Sequence, residues 1–247
     1  MADKQQATVE PPGEAPIGVP HALLVLLEAR APLEGLGLLA AWPWLARMPR
    51  GDGRPVLLAP GYGASDASMQ ALFRYLDWLG YDMHHWGLGR NRGKVAPYVR
   101  ALRERVLGLR SERGGAAVTL IGWSLGGVIV REVARDVPEA VREVITLGTP
   151  VVGGPKYTRV GAMFARRENV DLDQIEQLAH ERNLRPIPCP LTCIYSKSDG
   201  IVSWRATIDR YNPQARHLRV SGSHLGMGFN PRVWRIIART LAGQSGG

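Results

Sequence analysis

Gly122-Trp123-Ser124-Leu125-Gly126-Gly127 follows the β-branched run Val118-Thr119-Leu120-Ile121 and leads into Val128-Ile129-Val130-Arg131-Glu132-Val133. The run reads as a strand and the sequel as a helix, so the hexapeptide is a sharp strand-to-helix turn. A serine with glycines two residues before and two after it, in that setting, is the nucleophile-elbow pattern. The turn puts Ser124 in a strained backbone conformation that lifts its hydroxyl clear of the sheet. Glycines at 122 and 126 let strand and helix pass where Cβ atoms would collide, and Gly127 lets the helix pack closely on the sheet. Glycine supplies 29 of 247 residues, so the place between strand and helix carries the reading more than the letters do.

Upstream, Pro55-Val56-Leu57-Leu58-Ala59 reads as a buried strand ending at Pro60-Gly61-Tyr62-Gly63-Ala64-Ser65-Asp66. Ser65 or Asp66 is expected to cap a helix marked by Met69, Leu72, Phe73 and Leu76. Residues 81–86 form a second strand, closed by a glycine-rich loop over 87–93. Residues 95–109 form a helix with Val99, Leu102, Val106 and Leu109 along one face. Downstream, strands are expected at 141–147, 191–195 and 217–220, and a closing helix at 231–241. Strands alternating with helices predict an α/β fold with a mainly parallel central sheet and helices on both faces. Residues 151–189 break the rhythm: they are polar, hold one or two short helices, the clearer over 171–181, and read as a small cap insertion.

The proline-bearing polar stretch 1–18 reads as a disordered tail, without the charged start and apolar core of a secretory signal. Residues 19–247 then form one domain. Residues 21–45 are the most apolar stretch, but Glu28, Arg30 and Glu34 interrupt it, and charges near the middle of a span cost ~2.5–3.5 kcal/mol each. Two short helices parted at Pro32 are expected, packed on the core. The alternative is peripheral membrane contact through residues 21–45, with Trp42 and Trp44 at headgroup level.

The net charge of +9 invites nucleic acid as a partner. The charge is nearly all arginine, spread along the chain, and no helix-turn-helix, zinc-finger or RNA-binding signature accompanies it, so no nucleic-acid partner is expected. A mild attraction to anionic surfaces is the most the charge implies. Cys189 and Cys193 are the only cysteines. Along one strand they stand about 13 Å apart, too far for a disulfide, and no second ligand pair makes a zinc site with them. Two reduced thiols in a cytoplasmic protein are expected.

A serine on an elbow needs a base and an acid to orient it, in the chain order Ser, Asp or Glu, His. Three histidines follow Ser124: His180, His217, which opens the strand expected at 217–220, and His224. His180 lies in the polar insertion, where a surface histidine is expected. His224 lies in the small-residue loop Ser221-Gly222-Ser223-His224-Leu225-Gly226, at the carboxyl edge of the sheet. Asp199, in the loop after the strand at 191–195, is the choice of acid, with Asp171, Asp173 and Asp209 as alternatives. The developing oxyanion needs two backbone donors. The amide of Leu125 is one and that of Tyr62, on the Gly61-Tyr62-Gly63 turn, is the other. Trp123 and Leu125 are expected to line the substrate pocket.

These motifs together resemble the α/β-hydrolase superfamily, and within it the bacterial serine lipases and carboxylesterases. The resemblance runs from about residue 55 to 241. It rests on Pro60-Gly61-Tyr62-Gly63, the elbow at 122–127, Leu147-Gly148-Thr149-Pro150, Asp199-Gly200-Ile201-Val202 and Ser223-His224. Many lipases carry His-Gly where this chain has Pro60-Gly61, and the segment before Pro55 has no counterpart. The resemblance implies acyl transfer from an ester or lipid to Ser124 and hydrolysis of the acyl-enzyme, with His224 as base then acid and Asp199 holding its tautomer. It implies no metal and no organic cofactor. Thioesterase, amidase and acyltransferase chemistry use the same residues, and a non-catalytic lipid-surface protein is the reading from another class. The short insertion implies a modest cap over an accessible site.

Overall fold

The computed structural model describes residues 16–244. The apolar runs become strands β1 (Pro55–Ala59), β2 (Asp82–His85), β3 (Val118–Trp123), β4 (Val141–Leu147), β5 (Leu191–Ser196) and β6 (Arg216–Val220). They form one sheet in the order β2-β1-β3-β4-β5-β6, and every neighbouring pair is parallel. A parallel sheet must be covered on both faces, because its crossovers are helical. Here α3 (Gln70–Leu79) and α8 (Pro231–Leu241) cover one face, and α4 (Val95–Glu112) and α5 (Leu125–Asp136) cover the other. On α8, Val233, Trp234, Ile237 and Leu241 are all buried, each contributing about 1.5–3 kcal/mol of transfer free energy. The chain leaves β1 toward β2 on one side and enters β3 on the other, so the loops after β1 and β3 part at a crevice, where ligands of such sheets bind.

The stretch before β1 forms α1 (Ala22–Leu26), a 3-10 turn at Leu27–Arg30, and α2 (Ala31–Leu45). Pro32 sits in the first turn of α2, where its missing N–H costs nothing. Leu45 is fully buried, and Leu38, Ala41 and Trp44 pack against the core beside α8. The expected core packing is thus present along one side of this strap. Among the described residues no helix is long and apolar enough to cross a membrane. The tail expected over 1–18 falls, but for its last three residues, outside the described residues.

Between β4 and β5 lie α6 (Gly161–Glu168) and α7 (Leu172–Asn183), the latter capped by Asp171, whose carboxylate accepts the Asp173 N–H at 2.9 Å. The cap expected of Ser65 or Asp66 is absent. The chain enters α3 through a 3-10 turn at Asp66–Met69, Ser65 makes no side-chain cap bond, and Asp66 turns its carboxylate to the Trp86 N–H at 3.2 Å. A donor at the end of β2 has taken the acid away from its helix.

Candidate active site

Ser124 is one of two non-glycine residues with positive φ among the described residues (φ 54°, ψ −121°). Such a backbone costs on the order of 1–3 kcal/mol and persists only where its surroundings over-determine it. They do so here. The Ser124 N–H donates to the Leu147 carbonyl at 2.8 Å, and its own carbonyl accepts from Thr149 Oγ1 and the Gly127 N–H, each at 3.0 Å. Gly122 and Gly126 are obligatory: a Cβ on Gly122 would run into Gly127, and one on Gly126 into the Ala59 carbonyl. Ser124 itself is half-buried and borders a cavity.

Asp199 and His224 come from the loops after β5 and β6 and meet in the interior, 2 % and 4 % exposed. Asp199 Oδ1 accepts the N–H groups of Ile201 and Val202 at 2.8 and 2.7 Å, which leaves Oδ2 for His224 Nδ1 at 2.6 Å. A carboxylate only accepts, so Nδ1 carries the proton and Nε2 is the basic nitrogen. Burial opposes charging of this ring. The charge and hydrogen bond of Asp199, with the charge of Glu28 added, outweigh it, and the His224 pKa is raised above its ordinary value. The ring lies against Gly148 after β4, where any Cβ would touch Nδ1, and beside Trp123 at 6.2 Å between centroids.

What holds these loops lies far from them in the chain. Glu28, on the strap, is 5 % exposed. Its Oε1 accepts the N–H of Gly200 at 2.7 Å and of His224 at 2.9 Å, and its Oε2 that of Leu225 at 2.9 Å. One carboxylate thus clamps the acid loop to the imidazole loop. Glu34 adds the Ser223 N–H at 2.7 Å, and Arg30, paired to Glu34 at 3.0 Å, reaches Ser198 Oγ at 2.9 Å. Below them Ser196 Oγ donates to the Gly222 carbonyl at 2.7 Å, tying the same two loops again. The one available signal was that acids in so apolar a run must find donors somewhere.

On the other side of Ser124, Gly61 passes so close that a Cβ there would stand 3.2 Å from the serine Cβ. The next turn bonds through Gly63 N–H to the Asn91 carbonyl (2.7 Å) and Ala64 N–H to the Gly61 carbonyl (3.2 Å), and the Tyr62 N–H stays out of these bonds. The Leu125 N–H is a first-turn donor of α5, of the kind a helix leaves unpaired. Fully buried Asn91, also missed in the sequence, fixes this loop: its side chain donates to the Pro60 carbonyl at 2.9 Å and accepts the Gly93 N–H at 3.1 Å.

A cavity of about 340 Å³ opens from Ser124 between α5, α6 and α7. Leu125, Val128, Val160, Phe164 and Ile175 make its wall predominantly apolar, and Tyr62 stands edge-on to Phe164 at 5.7 Å between centroids. Leu125 stands on its wall beside Ser124. Trp123 does not: it is 7 % exposed and packs in the core layer on the face of α3 and α8. In a strand buried on both faces, apolar character does not reveal which way a side chain points. A second hollow of similar volume, lined by Arg100, Arg103, Arg182 and Arg185 together with Glu132 and Asp136, shares Glu132 and Arg182 with this cavity but does not reach Ser124.

The remaining candidates have other work. Asp209 forms a buried ion pair with Arg131 of α5 at 2.8 Å and accepts the Tyr211 and Asn212 N–H groups. Asp173 pairs with Lys156 on the surface, and exposed His180 meets the Tyr211 hydroxyl at 2.9 Å. Cys189 and Cys193 are both free and buried, and burial pushes each thiol up to about 11.

A parallel sheet of this order, a serine elbow after its third strand and an Asp–His pair at the carboxyl edge define an α/β-hydrolase fold. No family model matches the sequence. Among solved structures the chain is similar to a lipase-esterase related protein from Clostridium acetobutylicum, with a TM-score of 0.59 and 18% identity over 79% of this chain and 97% of that one. It is similar to the monoacylglycerol lipase of Paleococcus ferrophilus, with a TM-score of 0.54 and 17% identity over 78% and 97%. A thioesterase domain from the curacin biosynthetic pathway matches with a TM-score of 0.51 and 15% identity over 79% and 93%. Likeness at this level of identity defines the fold.

Proposed function

We propose that this protein is a serine hydrolase that cleaves carboxylic esters through an acyl-enzyme on Ser124. The observation that carries the reading is the 2.6 Å Asp199–His224 contact, brought to the same sheet edge as a serine held at positive φ. Ser124 Oγ attacks the ester carbonyl carbon while His224 Nε2 takes its proton. Asp199 keeps the proton of the ring on Nδ1 and stabilises the imidazolium. The N–H groups of Tyr62 and Leu125 receive the oxyanion. Collapse expels the alcohol, which leaves with the proton from His224. Water then repeats the sequence on the acyl-enzyme and frees the acid. The apolar cavity beside Ser124 suits the acyl chain.

The thioesterase among the structural neighbours favours thioester cleavage as the second reading, since the same groups serve it. Hydrolysis of p-nitrophenyl esters from acetate to palmitate, beside the matching acyl thioesters, separates the two. The reading expects ester turnover that Ser124→Ala lowers by about four orders of magnitude or more. Thioester turnover alone would move the assignment to the second reading. No turnover, with no labelling of Ser124 by a fluorophosphonate, would leave a binding protein.

A further inference from the structure

From Ala22 to Leu45 the strap carries three charged residues, and all three are turned to the loops of Asp199 and His224. What remains outside is apolar. Leu23, Leu26, Leu33, Leu36, Leu39 and Trp42 are exposed, Leu26 and Leu39 by 71% and 75%. No charged side chain of this segment is among its exposed residues. An ordinary surface helix has the reverse arrangement, with charges outward and leucines inward. A contiguous apolar face on this scale marks an interaction surface.

The rim of the face is basic and aromatic. Exposed Trp42 leans on Trp78 at 5.2 Å between centroids, and the Arg50 guanidinium lies 4.1 Å over the Trp78 ring. Arg235 stands 5.0 Å over Trp44, and Arg47 is exposed just past the end of α2. Aliphatic side chains bordered by tryptophan and arginine, in a chain of net charge +9, match a layer with an apolar interior and anionic headgroups. The face continues into the imidazole loop through half-exposed Leu225. Met1 to Ala15 carries only Met1 and Val9 as large apolar side chains, a poor match to such a face.

We propose that residues 22–43 dock the protein on an anionic phospholipid surface. The leucines enter the acyl-chain boundary, Trp42 and Trp78 lie at headgroup level, and Arg47, Arg50 and Arg235 meet the lipid phosphates. The inward charges keep the Asp199 and His224 loops fixed directly behind the docked face. This goes beyond the ester reading and does not need it, because docking requires no turnover.

The test is flotation of the full chain with vesicles of phosphatidylcholine alone and with about 30% phosphatidylglycerol. The wild type is expected to float with the anionic vesicles, and Ser124→Ala equally. Leu26→Gln/Leu36→Gln/Leu39→Gln should lower the bound fraction roughly tenfold or more, with far-UV circular dichroism and Tm unchanged. Arg47→Gln/Arg50→Gln should remove most of the preference for the anionic vesicles. A wild type that stays unbound with both compositions overturns the proposal. So does a stable dimer in light scattering that the triple leucine variant converts to monomers, because a second copy then covers the face. Flotation without turnover on any ester or thioester leaves the docking intact and removes the hydrolase reading alone.

Discussion

The carboxylate of Glu28 accepts the backbone N–H of His224 at 2.9 Å, joining the 3-10 turn after α1 to a residue 196 positions further along the chain. It also accepts from Gly200 and Leu225, so its removal strands three donors. Each buried donor left unpaired costs about 1–3 kcal/mol. Glu28→Ala is therefore expected to lower Tm and, by loosening the imidazole, to reduce kcat roughly a hundredfold. Glu28→Gln retains one oxygen acceptor and should recover most of the stability. KM for a short soluble ester should stay within a factor of about three in both, as neither change touches the acyl cavity. A Glu28→Ala enzyme with unaltered kcat would remove Glu28 from its positioning role.

The charge on Asp199 sets a pH signature. On the proposed mechanism His224 must be neutral to take the serine proton, and its pKa is raised. The acid limb of kcat/KM should lie above the ordinary imidazole value of about 6.5. Asp199→Asn should move that limb down and lower kcat by about three to four orders of magnitude. The stability sign is opposite to the activity sign. A raised folded pKa adds stability that is complete below about 6.5 and disappears as pH climbs through the folded value. The Tm difference between wild type and His224→Gln should shrink over that climb, and a flat difference would contradict the shift.

Arg131 and Asp209 form an ion pair whose side chains are 2% and 0% exposed, between α5 and the loop before β6. Burial alone would push the Asp209 carboxyl up, but the guanidinium beside it holds it below its usual range. Asp209→Ala leaves a buried cation and should cost about 3–5 kcal/mol in urea unfolding. Arg131→Met/Asp209→Leu should recover much of that loss. A double variant no better than the single one would show that the site needs the charges themselves.

The cavity wall makes a specificity prediction that rests on the ester reading. Val128→Phe fills space beside Ser124 that the acyl chain would occupy. Activity on long-chain p-nitrophenyl esters should fall roughly tenfold or more, with the acetate little changed. Equal loss on every chain length would place the acyl group elsewhere.

The sheet was legible because each strand is an apolar run between turn formers. β1, β4 and α8 begin and end where the sequence reading put them. The elbow was legible because its demand is local, a tight turn that excludes Cβ atoms on either side. Asp199 and His224 could be chosen from their loops, and the structure puts the two side chains in contact. Glu28 and Asn91 were not legible. Glu28 bonds wholly, and Asn91 through its contact with Pro60, to backbone atoms far away in sequence, and no periodicity marks a side chain that bonds to a distant main chain. Trp123 was misplaced for a related reason: a strand covered on both faces carries no alternation from which to read direction.

The strap also fixes an order of events during synthesis. Its residues leave the ribosome well before their partners, the loops at 198–201 and 221–226. Contacts this distant form late, since loop closure must precede them. A growing chain can complete β1 through β4 before any of the backbone donors that Glu28 and Glu34 hold has been made. Until β5 and β6 arrive, the leucine-rich segment has α3 to lean on, through Tyr75 and Trp78, but neither α8 nor the two loops. A protein clipped ahead of β1 keeps the sequence of every strand yet loses the brace behind its imidazole, so residues made before the sheet act as the fastening of loops made after most of it.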